Sequence, residues 1–149
     1  TPFIMDVLEQ YDMDAAYRVL ENEKMPGWLF MAKSGANTIW EAWEGTSAQE
    51  GIASLDHYSK GACCEWVFRE MCGIHVDGNN HFVIAPHPGG HFTYAATSYE
   101  SVFGTVKSGW EKKEDKTFVY RIEIPANTSA DVKLPDGREQ TIPAGKYEF

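Results

Sequence analysis

The spacing of apolar residues changes once along this chain, near residue 76. Before that point apolar side chains recur every three or four positions, as over residues 3–11, which is the spacing of one helix face. After it they alternate with polar residues, as over residues 118–124, which is typical of half-buried strands. The pattern predicts a two-part α+β chain, helical over residues 1–76 and β-rich over residues 77–149.

The helical part is predicted to contain four helices and one long irregular segment. Helical spacing covers residues 3–11, 13–20, 28–33 and 60–72. Asp12 separates the first two stretches, and the later breaks carry glycine, proline or serine. Residues 36–59 have no clear period. Long irregular loops inside compact domains are usually functional, so this segment is the first place to look for a site.

The β part is predicted to be an antiparallel β-sandwich. Its apolar alternation is interrupted by four turn-forming tripeptides, and many short strands divided by turns are typical of this fold. The tripeptides are Pro88-Gly89-Gly90, Pro125-Ala126-Asn127, Pro135-Asp136-Gly137 and Pro143-Ala144-Gly145.

The helical part is too small to cover its own apolar faces and the irregular segment as well. We therefore expect it to be a section of a larger helical domain whose other helices pack against it. The rest of the parent protein is its predicted partner, and a chain without that partner is expected to self-associate through exposed apolar surface.

Charge and composition exclude several classes of function. The chain has 22 acidic and 13 basic residues, a net charge of −9, which disfavours nucleic-acid binding. No apolar stretch is long enough to cross a membrane. The three cysteines, Cys63, Cys64 and Cys72, are bunched without a second ligand pair, so neither a disulfide framework nor a metal site is predicted. No cofactor is predicted.

The densest cluster of chemically active residues lies in the irregular segment. Residues 40–44 read Trp-Glu-Ala-Trp-Glu, residues 54–57 read Ser-Leu-Asp-His, and Glu65-Trp66 follows after Gly61. Considered alone, a glutamate beside tryptophans is more often an exposed loop residue than a catalytic one.

The order of these motifs resembles the end of the catalytic domain in bacterial α-L-rhamnosidases of glycoside hydrolase family 78. Those proteins show Gly-x-Thr-Thr-x-Trp-Glu-x-Trp, then Ser-x-Asn-His, then Gly-x-x-x-Glu-Trp. The resemblance continues through Pro88 to Trp110 and through Ile124 to Thr128, so it covers nearly the whole chain. Asp56 stands where the family usually has asparagine, and Glu44 where aspartate is common.

The resemblance implies a fold and a reaction. It implies the last helices of an (α/α)6 toroid followed by the C-terminal sandwich, and an inverting hydrolase that removes terminal α-L-rhamnose from glycosides or polysaccharides. Inversion uses a carboxylic acid and a carboxylate base on opposite sides of the sugar. By the resemblance Glu41 is the general base, with Glu44 as its rival. The family's general acid lies in an acidic segment far upstream of the base, and no stretch of residues 1–34 resembles that segment. The chain alone is therefore expected to be inactive.

Three further residues are candidate substrate contacts. Trp40 and Trp43 are expected to wall the carboxylate from water, although either ring can serve core packing alone, and Trp43 is the more suited to it. His57 offers a donor and an acceptor to a sugar hydroxyl or the water, or else makes a structural hydrogen bond before the next helix.

Two alternatives stay open at this point. The chain can belong to another (α/α)6 enzyme of the fucosidase or phosphorylase kind, or it can be a non-catalytic sugar-binding sandwich. The last alternative requires ligand-facing aromatics at Tyr94, Tyr99 and Trp110, whose alternation with polar residues instead favours core positions. The compartment is undetermined, with a periplasmic or secreted location favoured over a cytoplasmic one.

Overall fold

The structure is a computed structural model, and it describes residues 3–47, 53–78 and 80–149. The chain divides into two compact units, Thr1–Trp66 and Val67–Phe149. The first unit is helical and the second is dominated by strands, so the predicted two-part α+β fold is confirmed. The predicted domain boundary after residue 76 stays a prediction.

The first unit consists of short helices joined by irregular segments. Its helices are α1 (Ile4–Glu9), α2 (Met13–Leu20), α3 (Trp28–Lys33), α4 (Tyr58–Gly61) and α5 (Cys63–Trp66), with a 3₁₀ turn at Gly45–Ser47. Asp12 caps α2 by accepting a hydrogen bond from the Ala15 N–H at 3.1 Å, which satisfies one of the free donors of its first turn.

The single helix predicted over residues 60–72 is instead divided into shorter helical segments. The region contains α4, α5 and then a π-helical segment, Val67–Met71, that opens the second unit. The helical region ends at Met71, so the backbone carbonyls of Met71 and Cys72 have no later helical N–H to pair with, and side chains of the second unit donate to them. Trp110 Nε1 donates to the Met71 carbonyl at 2.8 Å, and Ser108 Oγ donates to the Cys72 carbonyl at 2.5 Å.

The described residues of the second unit form six strands. They are β1 (Ile74–Val76), β2 (His81–Ile84), β3 (Tyr94–Ser101), β4 (Gly104–Lys112), β5 (Phe118–Lys133) and β6 (Glu139–Glu148). They follow the order β1-β2-β5-β4-β3, and β6 pairs with β5. All pairs are antiparallel except β2 with β5, which is parallel.

Strand β5 pairs with three other strands. Its first half pairs with β4 and its second half with β2, and the register against β6 shifts between Ile124 and Ser129. The predicted turn at Pro125-Ala126-Asn127 is therefore wrong. This tripeptide forms a bulge inside one strand, where Asn127 adopts a φ of 62°, a conformation that asparagine tolerates well.

The apolar alternation of the strands fills one core. The buried side chains include Phe82, Ile84, Val106, Trp110, Tyr120, Ile122, Ile124, Ala130, Val132 and Ile142. The expectation of three core aromatics is right for Trp110 and wrong for Tyr94 and Tyr99, since Tyr94 is 71% exposed. Both tyrosines lie on β3, the last strand of the order, where the buried position is Ala95.

Burial makes two of the three cysteines less reactive than the third. It raises the pKa of the Cys63 thiol to about 12 and that of the Cys72 thiol to about 11, because burial disfavours the thiolate. Cys64 is exposed.

We expect iodoacetamide at pH 8 to label Cys64 in the folded protein and to spare the other two, as measured by peptide mapping. Equal labelling of all three without denaturant would contradict the packing described.

Candidate functional site

Two separate stretches of the irregular segment lie side by side. The Glu41 N–H donates to the Ser54 carbonyl at 2.9 Å, and the His57 N–H donates to the Ile39 carbonyl at 2.8 Å. The Thr38 hydroxyl also donates to the Leu55 carbonyl. These contacts bring residues 38–41 next to residues 54–57, so the two predicted motifs meet in one place.

A local turn aims the second stretch. The Ser54 hydroxyl donates to the Asp56 carbonyl at 2.9 Å and accepts from the Asp56 N–H at 3.0 Å. Serine hydroxyls commonly stabilise such turns by bonding to nearby backbone. With Ser54 held in this way, its own N–H is free to point at Glu41.

One oxygen of the Glu41 carboxylate is anchored and the other is open. Oε2 accepts the Ser54 N–H at 2.7 Å, while Oε1 lies 3.9 Å from His57 Nε2. The Glu41 side chain is 43% exposed, so solvent reaches it. The arrangement fixes the direction of the carboxylate without covering its second oxygen.

The hydrogen bonds of His57 define which of its nitrogens carries the proton in the neutral ring. Nδ1 accepts the Ser59 N–H at 3.4 Å and lies 2.9 Å from the Ser59 hydroxyl. Because a backbone N–H can only donate, Nδ1 is the acceptor and the proton sits on Nε2, which faces Glu41. His57 thus makes the structural bond that begins α4 and also presents a donor to the candidate base.

Trp40 is buried and its ring packs directly against Gly45. Gly45 has a φ of +57°, and a Cβ atom built at this position would lie 2.1 Å from the Trp40 ring. Only glycine satisfies both conditions. In this structure Trp40 is a packing group for the turn after the Trp-Glu-Ala-Trp motif, and its contact with a sugar stays a prediction.

Trp43 packs between two partners and keeps part of its surface exposed. Its ring meets Trp28 edge to face, with centroids 5.7 Å apart and an interplanar angle of 84°. The Lys60 ammonium lies 4.1 Å from the centroid of the Trp43 ring. This agrees with the packing interpretation of Trp43, and its exposed part leaves a sugar contact as a prediction.

The rival base Glu44 occupies a different position. It is exposed, and its backbone carbonyl accepts the Ser47 N–H at 3.0 Å as the 3₁₀ turn begins. Its negative charge acts on Lys60. The hydrogen bond from Ser54 and the proximity of His57 belong to Glu41.

Sequence reasoning missed two residues of this arrangement, Ser54 as the anchor and Lys60 as a buried cation. Lys60 had a detectable signal, since it precedes Cys63 by three positions and Trp66 by six, on the inward stripe of the helical pattern. Within the described ranges, no group of three or more His, Cys, Asp and Glu side chains is arranged to hold a metal ion. The described part also contains no helix long and apolar enough to cross a membrane.

Comparison with known protein families matches both parts of the chain. Residues 1–71 match the family described as bacterial alpha-L-rhamnosidase 6 hairpin glycosidase domain, and residues 75–148 match the bacterial alpha-L-rhamnosidase C-terminal domain. The two matches define a protein that joins the end of a six-hairpin glycosidase domain to a β-domain. The chain belongs to the bacterial α-L-rhamnosidase family.

Individual relatives agree with this assignment. The chain is 32% identical to an alpha-L-rhamnosidase of Formosa agariphila over 100% of its own length and 17% of the relative. Two solved structures are similar over 100% of the chain. They are the alpha-L-rhamnosidases of Aspergillus terreus (TM-score 0.91, 26% identity, 18% of that chain) and of Streptomyces avermitilis complexed with L-rhamnose (TM-score 0.90, 27% identity, 17% of that chain). The chain thus spans less than a fifth of these relatives.

The contact between Trp40 and Gly45 gives a prediction with a matched control. Gly45→Ala is expected to lower the free energy of unfolding by more than the roughly 1 kcal/mol of a left-handed alanine, because the new methyl group also collides with the Trp40 ring. Gly35→Ala is the control, since Gly35 has a φ of +85° and open space around it. Urea unfolding of both variants measures the difference, and equal losses would contradict the packing of Trp40.

Proposed function

We propose that the whole protein of which this chain forms part hydrolyses terminal α-L-rhamnosides with inversion, and that Glu41 is the general base. Because the chain spans 17% of the Formosa agariphila relative, the proposal concerns the complete enzyme. The general acid is expected in the remainder of that enzyme, so the chain alone is expected to release no rhamnose.

The observation that supports the proposal is the arrangement of the Glu41 carboxylate, with one oxygen bound to Ser54 and the other open beside His57. Glu41 Oε1 and His57 Nε2 lie 3.9 Å apart, so one oxygen atom can lie within hydrogen-bond distance of both. A water there would donate one proton to Glu41 and accept the His57 Nε2–H. Its lone pair is then directed by two groups that are themselves held by Ser54 and Ser59.

The proposed reaction is a single displacement. Glu41 Oε1 takes a proton from the water, and the water oxygen bonds to the anomeric carbon as the bond to the leaving oxygen breaks. The acid, at roughly 6.5–9.5 Å from Glu41, protonates the leaving oxygen. Rhamnose of inverted configuration and the free aglycone result. No redox partner is needed.

Rhamnose as the sugar is supported by the relatives. Both family matches and the three proteins compared are alpha-L-rhamnosidases, and one was solved with L-rhamnose. This favours rhamnose-containing glycosides over the substrates of fucosidase-like or phosphorylase-like enzymes. The sugar-binding sandwich stays the weaker alternative, since the candidate residues of the hydrolase lie together in the first unit.

The proposed base is tested by exchanging each carboxylate for its amide in the complete enzyme. Glu41→Gln is expected to lower kcat by about 10²- to 10⁴-fold, because the variant cannot accept the proton of water. Glu44→Gln is the matched control and is expected to change kcat by less than about tenfold. Release of an aryl α-L-rhamnoside measures both. Comparable activity of Glu41→Gln and the parent enzyme would overturn the assignment, and a larger loss in Glu44→Gln would transfer the role to Glu44.

We also propose that the apolar stripe of the first helix contacts the rest of the parent enzyme. Phe3, Ile4, Val7 and Tyr11 are all exposed in the described structure, and Tyr11 is 85% exposed. The predicted helical period is right, yet the face that it defines is uncovered. An apolar face of this kind favours burial against another protein surface.

In the isolated chain this stripe is expected to cause self-association. Val7→Lys and Tyr11→Lys together should reduce the apparent mass in multi-angle light scattering, because they place charge in the contact. Val102→Lys is the control, since Val102 is an exposed apolar residue in the turn between β3 and β4. The proposal would be contradicted if the unsubstituted chain were monomeric, or if the control and the double variant changed the apparent mass equally.

A further inference from the structure

Lys60 is a buried lysine beside the candidate base. Only 8% of the residue is exposed, and lysines are almost never buried without a partner. The ammonium group has two partners in the first unit. Nζ donates a hydrogen bond to the Glu41 backbone carbonyl, and it lies over the Trp43 ring at 4.1 Å from the centroid.

The backbone of Lys60 is held as firmly as its side chain. Its carbonyl accepts the Trp28 Nε1–H at 2.8 Å, and Trp28 in turn packs edge to face on Trp43. Lys60, Trp28 and Trp43 therefore form a closed set of contacts that joins α3, α4 and the Trp-Glu-Ala-Trp motif. The Glu41 carbonyl is fastened to this set, two bonds from the Cα that carries the carboxylate side chain.

Two neighbouring carboxylates also act on the charge of Lys60. Burial lowers the pKa of the Lys60 ammonium, and the negative charges of Glu44 and Glu41 oppose that effect. Lys60 is thus a cation largely shielded from solvent, and such charges are screened less by salt than surface charges are.

We propose that Lys60 is a positioning residue for Glu41, because its ammonium group fixes the Glu41 backbone through the carbonyl. The inference rests on the proposed role of Glu41 as the base. Lys60 itself touches neither substrate nor reacting water. Its effect on the reaction passes through the placement of Glu41.

The test uses the complete enzyme and separates the hydrogen bond from the charge. Lys60→Met keeps most of the length of the side chain but removes both, and it is expected to lower kcat about 10- to 100-fold with little change in KM. Lys60→Gln retains an N–H donor without charge and is expected to lose less of kcat. KM should stay close to that of the parent enzyme in both variants, since the replaced side chain touches no substrate. Lys33→Met, at an exposed lysine of α3, is the control and should match the parent enzyme.

Each outcome decides the proposal. A parent-like kcat in Lys60→Met would overturn it. So would equal losses in Lys60→Met and Lys60→Gln accompanied by a raised KM and a lowered Tm, which is the signature of a merely structural residue. If Lys60→Met does not fold, the separate values of kcat and KM for Lys60→Gln decide in the same way. Failure of the proposed function is recognised separately, because Glu41→Gln would then be as active as the parent whatever the Lys60 variants do.

Discussion

The backbone pairing between residues 38–41 and residues 54–57 is the contact on which the candidate site depends. Glu41 and Ser54 exchange two bonds, in which the Glu41 N–H donates to the Ser54 carbonyl and the Ser54 N–H donates to the Glu41 carboxylate. A carboxylate on an irregular segment would otherwise sample many directions, at an entropic cost to any ordered reaction. The pairing selects one direction and brings His57 beside it.

The fold was predictable where burial and local geometry agree. Helix α3 begins and ends where its apolar stretch and flanking glycines predict, at Trp28 and Lys33. The alternation over residues 118–124 correctly identifies a strand with Tyr120, Ile122 and Ile124 inward. In these segments each residue's preference is satisfied by its own element, so the sequence pattern and the structure coincide.

Other features depend on contacts distant in sequence, and local patterns do not encode them. Pro125-Ala126-Asn127 has the composition of a turn, but β6 continues past it and converts it into a bulge. Tyr94 has the alternation of a core residue, yet its strand lies at the end of the sheet order and its side chain faces outward. Likewise, the Trp-Glu-Ala-Trp motif identifies the candidate base, whereas the role of Ser54 as its anchor follows from the pairing of residues 38–41 with residues 54–57, which no local spacing in the sequence specifies.

The parallel pairing of β2 with β5 has a consequence for the order in which the β unit assembles. His81 to Ile84 align with Ser129 to Val132, so β2 has no strand on that side until a segment almost fifty residues later has been synthesised. Contacts of such separation form slowly, because a long loop must close before any of them is made. During translation Phe82 and Ile84 therefore remain uncovered for longer than most of the core, and the nascent chain at this stage is a natural client for a chaperone.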